Sequence, residues 1–262
     1  MTNETTNKAT TETWLLLRGL LREQGHWGDF PAQLQQRLPD THIITLDIPG
    51  NGLKYREQSP ISIPKMVDAL RSEYASSQPL NILSLSMGGM IATNWMQRFP
   101  HEVSKSVLIN TSLKSINPLY QRLRPSNYLK LLSLLSQSHD NKEHTLLKLT
   151  ANNFHQRQNT LNDWQDIARS RPVSKQNIIR QLFAASRFSP QEEPPIQPIL
   201  LINSLHDRLV NSGCSNDIAL TWKKTLISHP TAGHDIPLDD PEWTINQVKG
   251  WLASLKNDSS IN

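Results

Sequence analysis

One serine stands where its side chain could act as a nucleophile. Ser86 lies between the apolar run 80–85 and two glycines, Gly88 and Gly89. This pattern predicts a strand, a very tight turn and a helix, with the serine at the apex. Such a turn needs small residues two positions before and after the apex, and these are Ser84 and Gly88. The turn would lift the hydroxyl beside the positive end of the new helix. By itself, the pattern is also compatible with a serine that caps a helix after a buried strand.

The segment Ser84-Leu85-Ser86-Met87-Gly88 resembles the nucleophile elbow of the α/β-hydrolase superfamily, in a variant with serine where glycine is commoner. A serine hydroxyl is a poor nucleophile near neutral pH. It needs a base within hydrogen-bond reach, and that base must be oriented by an acid. The resemblance implies that the acid and then the histidine follow the serine along the chain.

Two later turns fit this order. Asp207 comes a few residues beyond the apolar run 198–203 and precedes an apolar anchor, as in the acid loop of the family. His234 lies in a Gly-His turn ahead of the final helix, closely similar to that of the family. The resemblance therefore implies a catalytic triad of Ser86, Asp207 and His234.

Other candidates for the acid and the base fit less well. Some family members carry the acid after the strand that follows the elbow, but this chain has Asn110 and Thr111 there. His229 directly abuts a strand and precedes Pro230, whereas His234 sits in a flexible glycine turn. We expect His206 to be an exposed neighbour of the acid.

The resemblance also implies an oxyanion hole made of two backbone amides. The amide after the nucleophile belongs to Met87, and the amide from the loop after the first core strand belongs to Leu20, with Leu21 as the alternative. Where the family usually has His-Gly, this chain has Arg18-Gly19. Arg18 could bridge loops structurally. It is also a candidate substrate-binding residue, because a cation near the acyl pocket would favour carboxylate substrates.

The composition argues against several other classes of protein. The 262 residues are 37% hydrophobic and 19% charged, which is typical of a globular protein and sufficient for one α/β domain with an insertion. No apolar stretch approaches the roughly 20 residues that span a bilayer, so we expect no integral membrane segment. The net charge of +4 is thinly spread, with Arg122, Arg124 and Lys130 as the longest basic cluster. That distribution argues against a nucleic-acid partner.

The location and cofactor predictions follow from the cysteine count and from missing motifs. A single cysteine, Cys214, and a polar segment 1–13 without a signal-peptide core favour a cytoplasmic location. His139 and His144 do not share a helical face, and neither HExxH nor CxxC occurs, so we expect no metal site. The Gly50-Asn51-Gly52 turn is too short for a dinucleotide loop. We expect no cofactor and a small-molecule substrate, and the oligomeric state stays open.

Alternating apolar and helical patterns predict the elements that position these residues. The expected strands cover residues 13–17, 42–46, 80–85, 106–110, 198–203 and 224–228. The alternation predicts an α/β fold with a doubly wound, mostly parallel sheet of the α/β-hydrolase type. Segment 113–190 has several helical patterns and no convincing strand, so it is expected to form a helical cap. A disordered tail (1–13) and a core built from 14–112 and 191–262 complete the predicted organisation.

Within the predicted cap, apolar residues recur at helical spacing and are expected to be buried or to line a pocket: Leu129, Leu132, Leu135, Leu146 and Leu149. The whole pattern predicts a hydrolase that acts on a small-molecule carboxylic ester through an acyl-enzyme. Two alternatives stay open. The same fold could perform C–C, thioester or peptide hydrolysis or a lyase step, or it could be a non-catalytic binding protein on a hydrolase scaffold.

Overall fold

A single parallel β-sheet forms the centre of the computed structural model, which describes residues 12–74 and 78–259. In these ranges the six strands are β1 (Glu12–Leu17), β2 (Thr41–Thr45), β3 (Leu80–Leu85), β4 (Val103–Ile109), β5 (Ile199–Ser204) and β6 (Thr225–His229). The strand order is β2-β1-β3-β4-β5-β6, and every neighbouring pair is parallel. This arrangement confirms the predicted α/β fold.

Helices cover both faces of the sheet because successive strand residues point to opposite sides. On one face, Leu15 and Leu17 pack with α2 (Ile63–Glu73), α3 (Met87–Arg98) and α9 (Gly213–Trp222). On the other face, Trp14 and Leu16 pack with α1 (Phe30–Arg37) and α11 (Pro241–Ser259). All residues of β3 and β5 are buried, as expected for inner strands of a sheet covered twice.

Between β4 and β5 the chain leaves the sheet and forms five α-helices. They are α4 (Leu119–Arg122), α5 (Tyr128–Ser133), α6 (His139–Thr150), α7 (Gln158–Ser170) and α8 (Lys175–Arg187). Leu131, Leu134, Leu146 and Leu149 share an apolar cluster with Leu21 of the core. The insertion therefore packs against the loop that follows β1.

Two of the apolar residues in this insertion do not behave as predicted. Leu129 and Leu132 are 80% and 62% exposed, so the expectation of burial is wrong for them. Helix α5 is only six residues long, and the buried residues here are Leu131 in the helix and Leu134 directly after it.

Some predicted boundaries also differ. Strand β1 begins at Glu12, so the predicted tail boundary at residue 13 is wrong by two residues, and residues 1–11 lie outside the described ranges. Helix α9 and the short α10 (Ile236–Asp239) were not predicted. Parallel strands need a crossover, and α9 provides it between β5 and β6. None of the helices in the described ranges has the length and apolar composition needed to cross a bilayer.

Candidate active site

Ser86 occupies the turn between β3 and α3 in a strained backbone conformation. Its φ of 57° and ψ of −117° lie in a region that L-residues rarely adopt. Three hydrogen bonds hold it there. The Ser86 amide donates to Ile109 O (2.8 Å), and the Ser86 carbonyl accepts from Gly89 N (2.9 Å) and Thr111 Oγ1 (3.0 Å). The surroundings thus fix a conformation that the local sequence alone would not prefer.

Two glycines allow the segments around Ser86 to approach each other. A Cβ atom on Gly88 would lie 2.6 Å from Leu17 O and 2.9 Å from Arg18 O. A Cβ atom on Gly19 would lie 3.1 Å from the Ser86 Cβ. Side chains at either position would push the loop after β1 away from the serine.

His234 and Asp207 come together from the loops after β6 and β5. His234 Nδ1 lies 2.6 Å from Asp207 Oδ2, and both side chains are buried. The second carboxylate oxygen accepts the amides of Leu209 (2.7 Å) and Val210 (2.9 Å). A histidine that donates through Nδ1 presents a basic Nε2 on its other side.

Ser86 and His234 line the same cavity. Between these two described side chains no hydrogen bond forms. Catalytic hydrogen bonds often tighten only when substrate binds. The shared cavity places both side chains at one ligand-binding space, and proton transfer between them belongs to the function proposed below.

Asn110 is a positioning residue that sequence reasoning missed. Its Nδ2 donates to the carbonyl of His234 (2.8 Å), and its Oδ1 accepts the amide of Ser204 (2.9 Å). It stands where some relatives carry the acid, and its φ of 47° suits asparagine. The sequence signal that could have identified Asn110 is its position directly after β4, at the edge of the sheet where functional loops emerge.

His229 has a different environment from His234. Its Nδ1 accepts the amides of Thr231 (3.2 Å) and Ala232 (2.9 Å), and its Nε2 lies 3.2 Å from Asp240 Oδ2. These contacts shape the turn that leads to His234.

The predicted oxyanion donors, Leu20 and Met87, both line the cavity. Met87 is the first residue of α3, where backbone amides have no partner within the helix. The amide of Leu21 donates to the Gln181 side chain (3.0 Å). Of the two loop amides considered, Leu20 is therefore the better placed to bind a ligand.

The cavity itself is small and largely apolar, with a volume of about 150 Å³. Every helix of the insertion except α7 contributes to its wall. The leucines from this segment are Leu119, Leu123, Leu131, Leu146, Leu149 and Leu182. Such a wall excludes water and favours the apolar part of a ligand.

Three buried arginines also line the cavity. Arg18 donates to both carboxylate oxygens of Asp235 (2.5 and 3.2 Å), and its guanidinium lies 4.6 Å from the Trp27 ring centre. Arg22 forms an ion pair with Glu143. Arg18 was predicted, but Arg22 was not, since an arginine in a loop carries no sequence signal for burial.

The third arginine, Arg122, is held by main-chain atoms. Its Nη1 and Nη2 donate to the carbonyls of Ser186 (3.2 Å) and Ala185 (2.6 Å). Burial lowers the pKa of Arg122 from its usual range.

Three features together define the α/β-hydrolase class. They are a parallel sheet, a serine on a strained strand-to-helix turn, and a histidine–aspartate pair in loops that follow later strands. A family model described as the alpha/beta hydrolase fold matches residues 15–241, and the chain belongs to this family. A search of curated proteins finds no significant sequence match.

Several solved structures share the fold. An enol-lactonase from Burkholderia xenovorans superposes with a TM-score of 0.77 at 16% identity, covering 94% of this chain and 93% of its own. A hydrolase from Pseudomonas aeruginosa gives 0.76 at 16% identity, with coverages of 93% and 91%. A thermophilic esterase from Thermogutta terrifontis gives 0.73 at 16% identity, with coverages of 94% and 90%. At these identities the likeness shows the fold alone.

Proposed function

We propose that this protein is a serine hydrolase that cleaves a small-molecule carboxylic ester through an acyl-enzyme on Ser86. The observation that carries the proposal is the 2.6 Å contact between His234 Nδ1 and Asp207 Oδ2, behind a cavity that Ser86 also lines. An oriented histidine beside a serine at the positive end of a helix is the arrangement that nucleophilic catalysis requires.

In the first half of the reaction, Ser86 Oγ attacks the ester carbonyl carbon while His234 Nε2 takes the hydroxyl proton. The carbonyl oxygen becomes an oxyanion, which accepts hydrogen bonds from the Leu20 and Met87 amides. The C–O bond to the alcohol then breaks, and His234 returns the proton to the leaving alcohol. Asp207 stabilises the imidazolium that forms in between.

In the second half, a water molecule repeats the attack on the acyl-enzyme. His234 accepts a proton from the water and then donates it to Ser86 Oγ as the acyl bond breaks. The products are the free acid and the alcohol, and the enzyme returns to its starting state.

We further propose that helices α4–α8 act as a cap that selects the substrate. Four of them supply side chains to the wall of the cavity that contains Ser86. Arg18 already has the carboxylate of Asp235 as its partner, which favours a role in holding the loops over direct contact with substrate.

Two structural relatives support ester chemistry in particular. One is named an esterase and another an enol-lactonase, and a lactone is a cyclic ester. Because one fold hosts several reactions, C–C, thioester and peptide cleavage stay as alternatives to be tested with the same protein.

Labelling with a fluorophosphonate probe tests the nucleophile. The native protein should acquire one adduct, and peptide mapping should place it on Ser86. Ser112→Ala is a matched control, because Ser112 lines the same cavity and should not be needed for labelling. An adduct that persists in Ser86→Ala would overturn the assignment.

A series of p-nitrophenyl esters of increasing acyl length tests the reaction class. The small cavity predicts faster hydrolysis of short acyl groups than of long ones. Failure to hydrolyse any ester, despite labelling of Ser86, would favour one of the other reactions.

A further inference from the structure

Arg122, the last residue of α4, carries a charge that the proposed reaction does not use. Its side chain lines the cavity that contains Ser86, and only 7% of the residue is exposed. Nη1 and Nη2 bind the carbonyls of Ser186 and Ala185, but Nε is buried without a hydrogen-bond partner. A guanidinium has five N–H donors, so its capacity is only partly used.

The other two arginines of the cavity differ in one respect. Arg18 is paired with Asp235, and Arg22 is paired with Glu143. Within residues 12–74 and 78–259, Arg122 forms no ion pair with a carboxylate. Buried charges in proteins are normally paired, because an isolated ion loses its hydration without compensation.

A purely structural role would account for part of this arrangement. The carbonyls of Ala185 and Ser186 belong to the last turn of α8, where the helix dipole places about half a negative charge. They anchor the Arg122 side chain. They neither occupy Nε nor supply a full counter-charge, so the Arg122 side chain keeps the capacity to bind an anion.

We propose that Arg122 binds a carboxylate on the acyl part of the substrate, which makes the substrate a half-ester of a short dicarboxylic acid. We place the carboxylate on the acyl part rather than on the alcohol part. The acyl part remains in the site as the acyl-enzyme after the alcohol has left. The cavity of about 150 Å³ suits a ligand of about the size of benzene, hence a short chain. Leu123 and Leu182, also in the wall, would contact its methylene groups.

This inference rests on the proposed ester hydrolysis, and a pair of isosteric esters tests it. Monomethyl succinate carries the carboxylate, and methyl succinamate replaces it with a neutral amide of nearly the same size. A charge-assisted hydrogen bond predicts a kcat/KM that is about 10- to 100-fold higher for monomethyl succinate. Equal values in the native protein would overturn the proposal without any variant.

Variants then assign the preference to one side chain. Arg122→Met should lower kcat/KM for monomethyl succinate by about 10- to 100-fold and leave methyl succinamate within about threefold. Arg122→Lys should retain part of the preference, since it keeps the charge. Arg187→Met is the matched control, because Arg187 is an exposed arginine at the end of α8. Equal losses on both esters in Arg122→Met would show that Arg122 only anchors α8.

Binding to Ser86→Ala gives a readout that does not depend on turnover. Succinate should raise the melting temperature of this variant and succinamide should not, and adding Arg122→Met should remove the effect. Hydrolysis of neutral esters without any response to succinate would overturn the carboxylate site and leave the proposed function intact. Succinate binding together with absent labelling of Ser86 would overturn the proposed function and still support an anion site at Arg122.

Discussion

Arg18 and Asp235 form a buried bidentate ion pair, with Nη–Oδ distances of 2.5 and 3.2 Å. Arg18 precedes Gly19, which lies against Ser86, and Asp235 directly follows His234. The pair thus joins the loop on the serine side of the site to the loop that carries the histidine. Arg18 occupies the position where the family usually has a histidine. In this chain, that position therefore belongs to an ion pair.

Asp235→Asn should destabilise the protein, because it leaves the Arg18 cation buried without a counter-charge. We expect the free energy of unfolding to fall by about 3–5 kcal/mol, measured by urea denaturation. The double variant Arg18→Met/Asp235→Leu should recover much of that loss, since apolar replacements of a buried pair are often neutral. A loss below about 1 kcal/mol in Asp235→Asn would contradict this view of the pair.

Ser86→Ala should reduce ester hydrolysis by roughly 10,000-fold or more, since it removes the proposed nucleophile. Its free energy of unfolding should stay within about 1 kcal/mol of the native value, because the change removes a single oxygen. Steady-state kinetics and urea denaturation measure the two effects. Residual activity of more than a few per cent in a clean preparation would rule out Ser86 as the nucleophile.

His234→Ala and Asp207→Ala should both lose activity, with the aspartate variant the milder. We expect losses of roughly 10⁵-fold and 10⁴-fold in kcat, because a misoriented histidine retains some function as a base. His206→Ala is the control, since His206 is exposed beside Asp207 and should stay within about threefold. A loss in His206→Ala as large as that in His234→Ala, or a far larger loss in His229→Ala, would refute the choice of base.

His26 should make the protein acid-sensitive. Burial, reinforced by the Arg22 cation, lowers the pKa of His26 to about 4 from its ordinary 6.5, while Glu143 acts in the opposite direction. Between these values the unfolded chain binds a proton that the folded protein does not. His26 therefore does not reduce the free energy of unfolding above about pH 6.5. As the pH falls towards 4, this group lowers the free energy of unfolding by on the order of 3 kcal/mol.

The measurement is the free energy of unfolding at several pH values for native protein and His26→Gln. The variant should show a flatter dependence between about pH 6.5 and 4, whatever its absolute stability. Parallel curves for the two proteins would show that His26 does not cause the acid sensitivity.

Cys214 should be unreactive in the folded protein. The residue is fully buried near the start of α9, and burial raises the pKa of its thiol to about 12. At pH 8 only on the order of one thiol in 10,000 would be ionised. Ellman's reagent should therefore react with Cys214 only in denaturant, and rapid reaction of the folded protein would contradict this.

Local pattern was sufficient to predict the sheet. The runs 80–85 and 198–203 are apolar because both faces of β3 and β5 are covered, so burial itself leaves the signal in the sequence. Strand β4 begins at Val103 rather than at residue 106, because the polar residues Ser104 and Lys105 interrupt its apolar pattern. Helix α9 was not predicted for a similar reason, since its start is rich in turn-forming residues.

The predicted site residues share one property that the sequence displays. Ser86, Asp207 and His234 each follow a strand, and the carboxyl ends of parallel strands meet at one edge of the sheet. Chain order and strand ends therefore suffice to predict which residues approach each other. Their catalytic roles stay predictions, which the variants above test.

Only the tertiary structure decided which charged side chains are buried around the cavity and how they are paired. Arg18 and Asp235 are 217 positions apart, and the carbonyls that hold Arg122 lie more than 60 positions beyond it. Nothing local distinguishes these arginines from the exposed Arg187. Burial and pairing are properties of packed elements, because they depend on which loop and helix ends the sheet brings together. The sequence by itself determined the fold and the order of the candidate residues, and packing decided which of the buried cations beside them are paired with carboxylates.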